Sequence, residues 1–115
     1  MKNTLMIKKN KTLKYVLKKG NYHISKYVVV HSILSKTNNN FFAICVSKKN
    51  GKSVDRNKLK RWAREIYKNE ESKLKLGISV VILYRKTTTI KNLNYDIINN
   101  DIVKCFKELD LYEME

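Results

Sequence analysis

The sequence predicts an α/β fold, helices packed on a mixed β-sheet, and three observations carry that prediction. A β-rich region after Tyr22 is followed by an amphipathic helix and then another strand, and a strand–helix–strand order requires a crossover with at least one parallel pair. The segment ISVVILY, Ile78 to Tyr84, is continuously apolar, as a strand covered on both faces should be. Near the C-terminus Ile98, Ile102, Cys105, Phe106 and Leu109 recur at i, i+4, i+7, i+8 and i+11, a helical stripe that needs a surface to cover it.

Taken in order, the first element is a short helix, KTLKYVLKK, with Asn10 placed to cap it and Gly20 to stop it. Its Leu13, Val16 and Leu17 share one face. Lys26 to Leu34 reads as a strand, Thr37 to Asn40 as a polar turn, and Phe41 to Ser47 as the returning strand of a hairpin. A basic loop follows, with Gly51 in it, and Asp55 is expected to cap a helix from Arg56 to about Asn69. Gly77 ends the next connection before the apolar strand, and Asn94 is placed to cap the last helix.

At 115 residues the chain is expected to be one domain, 1–115, with room for a single modest core. The longest apolar runs are far short of the ~20 residues that span a bilayer. Lysines interrupt the N-terminal apolar residues where a signal peptide would need them continuous, so a cytoplasmic protein is expected. Cys45 and Cys105 lie far apart without metal-ligand spacing and read as buried reduced thiols. His23 and His31 are too isolated to suggest a metal site, and no metal-binding residue is expected.

The net charge is +15, and its distribution says more than its total. Residues 1–64 hold 17 Lys or Arg and a single acid, Asp55, whereas residues 65–115 hold 8 Lys or Arg and 9 acids. Such a lopsided chain points to a polyanionic partner. A membrane surface is a poorer candidate, because no segment pairs a wide apolar face with a basic one over the length of an interfacial helix.

The charge concentrates in SKKNGKSVDRNKLKRWARE, Ser47 to Glu65. On a wheel of 100° per residue, Leu59, Trp62, Ala63 and Ile66 fall within an arc of about 100°, the width of a core-facing stripe. Arg56, Asn57, Lys60, Arg61, Arg64 and Lys68 fall opposite, with Lys58 at the margin, and Lys48, Lys49 and Lys52 precede them in the loop. An ordinary solvated face mixes signs to gain i,i+4 pairs, and this one offers only Glu65 at its edge. Arginine brings a planar fork for phosphate and lysine a mobile point charge. Asn57 can hydrogen-bond a phosphate, a 2′-hydroxyl or a base edge, or ligate a phosphate-bound metal. These groups suit structured RNA, and neither DNA nor a membrane is an expected partner. A self-sufficient nuclease would need a general base or a carboxylate cluster. The basic half has only Asp55, already assigned to capping, and the later acids read as helix-surface charges.

The same stretch resembles the signature of the bacterial ribonuclease P protein component, an Arg-Asn-Arg helix preceded by a Ser-Lys-Lys loop. Ser47, Lys48, Lys49, Gly51, Ser53, Val54, Arg56, Asn57, Lys60, Arg61 and Arg64 match it in order and spacing. The resemblance extends to the opening IKKNKTLKYVLKKG, the strands YVVVH and VVILYRK, and the closing helix. It implies a four-stranded mixed sheet with three helices in the order αβββαβα, and a left-handed βαβ crossover that general topology rules would not anticipate.

For function, the resemblance implies the small subunit of the ribonucleoprotein that removes 5′ leaders from precursor tRNA. In that enzyme the RNA subunit performs hydrolysis with its own Mg²⁺, so no catalytic residue and no protein-bound cofactor are expected. The basic helix and loop would contact the ribonuclease P RNA through Lys48, Lys49, Lys52, Arg56, Asn57, Lys58, Lys60, Arg61, Arg64 and Lys68. A cleft between the first helix and the sheet would hold the single-stranded leader of precursor tRNA, near Leu13, Leu17, His31 and Tyr27. The chain departs from the pattern at Lys58, where the hallmark has arginine, and at Leu13, Leu17 and His31, where aromatics are usual. Leu13 and Leu17 read equally well as core. Composition alone also admits a ribosomal-type structured-RNA binding protein with no role in tRNA processing.

Overall fold

The computed structural model describes residues 3–113. Its elements are β1 (Thr4–Met6), α1 (Asn10–Lys19), β2 (Asn21–Ile24), β3 (Val28–Leu34), β4 (Asn40–Cys45), α2 (Ser53–Glu70), β5 (Ile78–Tyr84) and α3 (Tyr95–Glu108). They form a mixed α+β fold with one five-stranded sheet in the order β1-β4-β5-β3-β2. The neighbouring pairs β1/β4 and β4/β5 are parallel, while β5/β3 and β3/β2 are antiparallel. The crossover β4–α2–β5 thus supplies the parallel pair that the strand–helix–strand order requires.

Two expectations are corrected. The sheet has five strands, not four, because three residues at the N-terminus add β1 to the edge of β4. The Ile7 N–H donates to the Phe42 carbonyl at 2.9 Å, and the Thr4 hydroxyl meets the Tyr67 hydroxyl at 2.9 Å and donates to the Glu71 carboxylate. A three-residue strand flanked by lysines is too short to announce itself by alternation. The β3–β4 hairpin does not exist either, since β5 lies between its two strands. The apolar content of β5 decides this: Val80, Val81 and Ile82 are completely buried, and only the centre of a sheet covers both faces of a strand.

That insertion is held by Asn40, which is 1% exposed and opens β4 instead of ending a polar turn. Its Oδ1 accepts from the N–H groups of Gly77 (2.6 Å) and Ile78 (3.1 Å), and its Nδ2 donates to the Lys75 carbonyl (3.0 Å). One amide side chain therefore locks the entry of β5 against the start of β4.

The helices divide between the sheet faces. Leu59, Ala63, Ile66 and Tyr67 of α2 and Ile98, Ile102, Cys105 and Phe106 of α3 bury against Val28, Val30, Phe42, Val80 and Ile82. Phe42 and Tyr67 stack with centroids 4.0 Å apart. On the opposite face Val16 of α1 is buried with Ala43 and Val81. Trp62, expected in the core stripe, is half-buried, and Tyr67 takes the fully buried place beside Ile66.

Capping follows the sequence at one helix of three. The Asn94 side chain accepts from the Ile97 N–H at 2.9 Å. Asn10 is instead the first helical residue of α1, behind Lys9, which makes no side-chain cap. Asp55 is likewise the third residue of α2, where its charge favours the positive end of the helix dipole. Asp101 is no surface charge: it is 9% exposed and accepts from the Ser25 hydroxyl and the N–H groups of Tyr27 (2.9 Å) and Val28 (3.2 Å), tying α3 to the β2–β3 turn. Both thiols are free, with Cys105 buried and Cys45 half-buried. Burial, with Asp101 adding, pushes the Cys105 thiol up to about 12, so it stays protonated at neutral pH.

Gly20 stops α1 for a reason other than positive φ. Its backbone is extended (φ −76°), but a Cβ there would lie 2.6 Å from the Val16 carbonyl oxygen and 2.7 Å from that of Ser32. Only glycine lets α1 turn this close to β3. Gly20→Ala is expected to cost about 1–3 kcal/mol, as overpacking does, read as a lowered urea midpoint with unchanged m.

Candidate nucleic-acid interface

Helix α2 sorts its residues by burial as the wheel predicts. Leu59, Ala63 and Ile66 are completely buried, while Asn57, Lys58, Lys60, Arg61, Arg64 and Lys68 are exposed. Arg56 is the exception: it is half-buried, and its Nε is buried with no hydrogen-bond partner among the described residues. Lys58 places its ammonium 5.4 Å from the centroid of the Trp62 ring, at the margin of the basic face. That cation–π contact turns it toward the flank of the helix.

The loop before α2 is built rather than slack. The Ser47 hydroxyl accepts from the Lys49 N–H (3.3 Å), and the Ser47 N–H donates to Asn50 Oδ1 (2.9 Å). The completely buried Asn50 then donates through Nδ2 to the carbonyls of Arg85 and Thr88, both at 2.8 Å. Gly51, at φ +127°, turns the chain tightly over Asp55 into the helix. Lys48, Lys49 and Lys52 are all exposed on this frame. A loop held this way presents its cations with little ordering cost on binding.

Asn50 also draws in residues the sequence reading passed over. By clasping the Arg85 and Thr88 carbonyls it ties the segment that carries the exposed Arg85 and Lys86 to the loop of Lys48 and Lys49, while the Arg85 guanidinium itself donates to the Ser25 carbonyl at 3.2 Å. The signal available was the exclusion of acids from all these segments, which does not say which segments meet. Ion pairs among the described residues join Lys73 to Glu70 and Lys75 to Asp110, away from this surface. The whole patch thus carries unanswered positive charge.

The other expected site lies on the α1 face of the sheet. Leu13 and Leu17 are half-buried, each packed on one side against the Val16, Ala43 and Val81 cluster, so both are partly core. His31 shares this face, with its ring 5.5 Å from that of Tyr22, its partner across β2 and β3. Burial lowers its pKa below the usual 6.5, so the ring is neutral at pH 7 and free to stack. Tyr27 is not brought to this group: it packs against the core of the opposite face, beneath α2 and α3. Alternation along β3 points Val29, His31 and Ile33 one way and Val28 and Val30 the other; Tyr27 has the parity of His31 but precedes the strand, in the turn that Asp101 of α3 holds through the Tyr27 N–H, and so leaves that pattern. Among the described residues, no three His, Cys, Asp or Glu side chains stand close enough to hold a metal ion.

A family model described as Ribonuclease P matches residues 1–110. The chain belongs to the ribonuclease P protein family. Among similar proteins, the ribonuclease P protein component of Clostridium botulinum (strain 657 / Type Ba4) is 33% identical over 107 residues, covering 92% of this chain and 95% of the relative. That of Petrotoga mobilis is 32% identical over 111 residues, covering 95% and 92%. The solved structure of the Staphylococcus aureus RNase P protein superposes with a TM-score of 0.84 at 29% identity, over 94% of this chain and 97% of that one. The Thermotoga maritima protein, at 23% identity and a TM-score of 0.76 over 87% and 93%, shares the fold. The basic α2 face and the loop that Asn50 clasps therefore belong to a ribonuclease P protein.

Proposed function

We propose that the exposed face of α2 and the Ser47–Lys52 loop grip the RNA subunit of ribonuclease P, and that the groove beside Leu13, Leu17 and His31 holds the 5′ leader of precursor tRNA. The general role follows from family membership: a protein component of ribonuclease P, the endoribonuclease of tRNA processing. That membership also sets aside the ribosomal-type alternative. The observation carrying the finer reading is the exposed row Lys60, Arg61, Arg64 and Lys68, which has no acidic partner among the described residues. Phosphates answer such a row by bidentate contact with Arg and point-charge contact with Lys.

In this reading the chain supplies grip and placement, and the RNA subunit supplies hydrolysis with Mg²⁺ held on its own phosphates. Arg56 and Asn57 lie at the start of the same helix, next to the loop cations, and extend the contact to 2′-hydroxyls or phosphate. Neutral His31 and the apolar flanks of Leu13 and Leu17 offer the leader van der Waals and ring contact. The reading includes the family's left-handed sense for β4–α2–β5 and a cytoplasmic location. No helix of the described residues is long and apolar enough to cross a membrane.

Reconstitution tests it. The purified chain alone should not cleave precursor tRNA, but should restore turnover at low magnesium when added to a cognate ribonuclease P RNA. Absence of restoration with the cognate RNA overturns the proposal.

A further inference from the structure

Strand register divides the α1 face of the sheet into three rows: Phe41–Ser79–Ile33, Ala43–Val81–His31 and Cys45–Leu83–Val29. Val16, buried with Ala43 and Val81, seats α1 over the middle row. On the helical wheel Leu13 and Leu17 project to one flank of Val16, and Lys11, Thr12 and Tyr15 to the other. The helix is therefore a bar with a groove on each side. The groove on the Tyr15 flank has a volume of about 530 Å³, bounded by Tyr15, Phe41, Ile33, Ser79, Lys11 and Lys36.

Three features of this second groove point to one kind of ligand. Tyr15 is 53% exposed and Phe41 is half-buried, so two aromatic rings line it. Its charged lining residues are Lys11 and Lys36, both exposed, and no acid lines it. Ser79 makes no side-chain hydrogen bond among the described residues, and its hydroxyl, on the groove wall, is open to solvent rather than sealed in the core. A solvated hydroxyl on a groove wall can exchange its water for the polar edge of a ligand. A flat ring with a hydrogen-bonding edge and an attached anion is a nucleotide.

We propose that this groove binds a nucleotide of single-stranded RNA, its base against Tyr15 and Phe41 with an edge at Ser79, and its phosphate at Lys11 and Lys36. The site is separate from the leader groove, because α1 and Val16 fill the space between them. It rests on the reading that the chain binds RNA, and it makes α1 a divider contacted by RNA on both sides. Lys36 stands in the β3–β4 connection, at the end of the sheet away from the Ser47–Lys52 loop, so the basic face of α2 does not supply its cations.

The test titrates the ¹⁵N-labelled full chain with single-stranded hexa-adenylate. Saturable shifts are expected at Thr12, Tyr15, Ile33 and Ser79. Tyr15→Ala should weaken binding about tenfold by loss of base stacking, and Lys36→Ala a few-fold, with folding unchanged because both side chains project outward. Shifts confined to Leu13, Leu17 and His31, with both variants binding as the parent does, overturn the proposal. Equal shifts from uncharged N-acetyltryptophanamide, independent of Lys36, also overturn it, in favour of an aromatic side chain of a protein partner. Full-strength binding of the RNA subunit by a Lys60→Ala/Arg64→Ala variant is a separate result, which defeats the RNA-subunit reading of α2 rather than this groove.

Discussion

The double variant Lys60→Ala/Arg64→Ala is expected to bind the ribonuclease P RNA about a hundredfold more weakly than the parent, without loss of stability. Both side chains are exposed on α2, one turn apart, and neither has an ion-pair partner among the described residues. If each contacts one phosphate at roughly 1.4 kcal/mol, two lost contacts give that factor. The slope of log K against log salt should fall by nearly two, since each neutralised phosphate contributes about 0.9 on a duplex. Fold stability should hold or rise slightly, because the substitutions remove like charge from a crowded face. Binding isotherms at three salt concentrations, with a thermal melt of each protein, check all three statements. An unchanged salt slope would place the RNA on another face.

The second large effect is on stability. Asn40→Ala is expected to cost about 3–5 kcal/mol, a large part of the 5–15 kcal/mol available to a domain of this size. The substitution leaves the N–H groups of Gly77 and Ile78 and the Lys75 carbonyl without their side-chain partner at a nearly closed site. Each buried group so orphaned costs roughly 1–3 kcal/mol, with entering water relieving some of it. Asn39→Ala supplies the comparison: Asn39 is exposed, so its change should stay within about 0.5 kcal/mol. Urea titrations of the two variants measure the difference directly, and equal midpoints would mean that Asn40 does not hold β5 in place.

This pair shows how far the residues speak for themselves. Asn38, Asn39 and Asn40 are identical in type and read together as a polar turn. Only the arrival of β5 beside β4 gives the third of them three hydrogen bonds, and that contact joins residues 35 to 38 positions apart. Asn50 behaves the same way: within a run of lysines it looks like one more polar loop residue, but its amide closes on Arg85 and Thr88. Long-range satisfaction of a buried polar group leaves no periodic trace, so no pattern along the chain could disclose it.

Periodic features, in contrast, were legible from the start. The strand β5 and the α3 stripe match the residues expected of them, because apolar spacing is a local record of which side is covered. The basic face of α2 was equally legible: the burial that gathers Leu59, Ala63 and Ile66 on one side leaves Lys60, Arg61 and Arg64 on the other. Its meaning came from the acids missing around it and from a motif of fixed spacing.

The sequence by itself thus determined the element types, the crossover, the charged helix face and the family. Tertiary structure decided strand order, the short β1, the separation of Tyr27 from His31, and the division of the α1 face into two grooves. The physical reason is that periodicity records whether a residue is covered, whereas partner and place depend on contacts between residues far apart in the chain. Tyr27 and His31 lie four residues apart, a spacing that would put both on one face of a continuous strand, yet Tyr27 falls in the turn before β3, where Asp101 holds its N–H, and packs on the α3 core, while His31 stays on the face that α1 crosses.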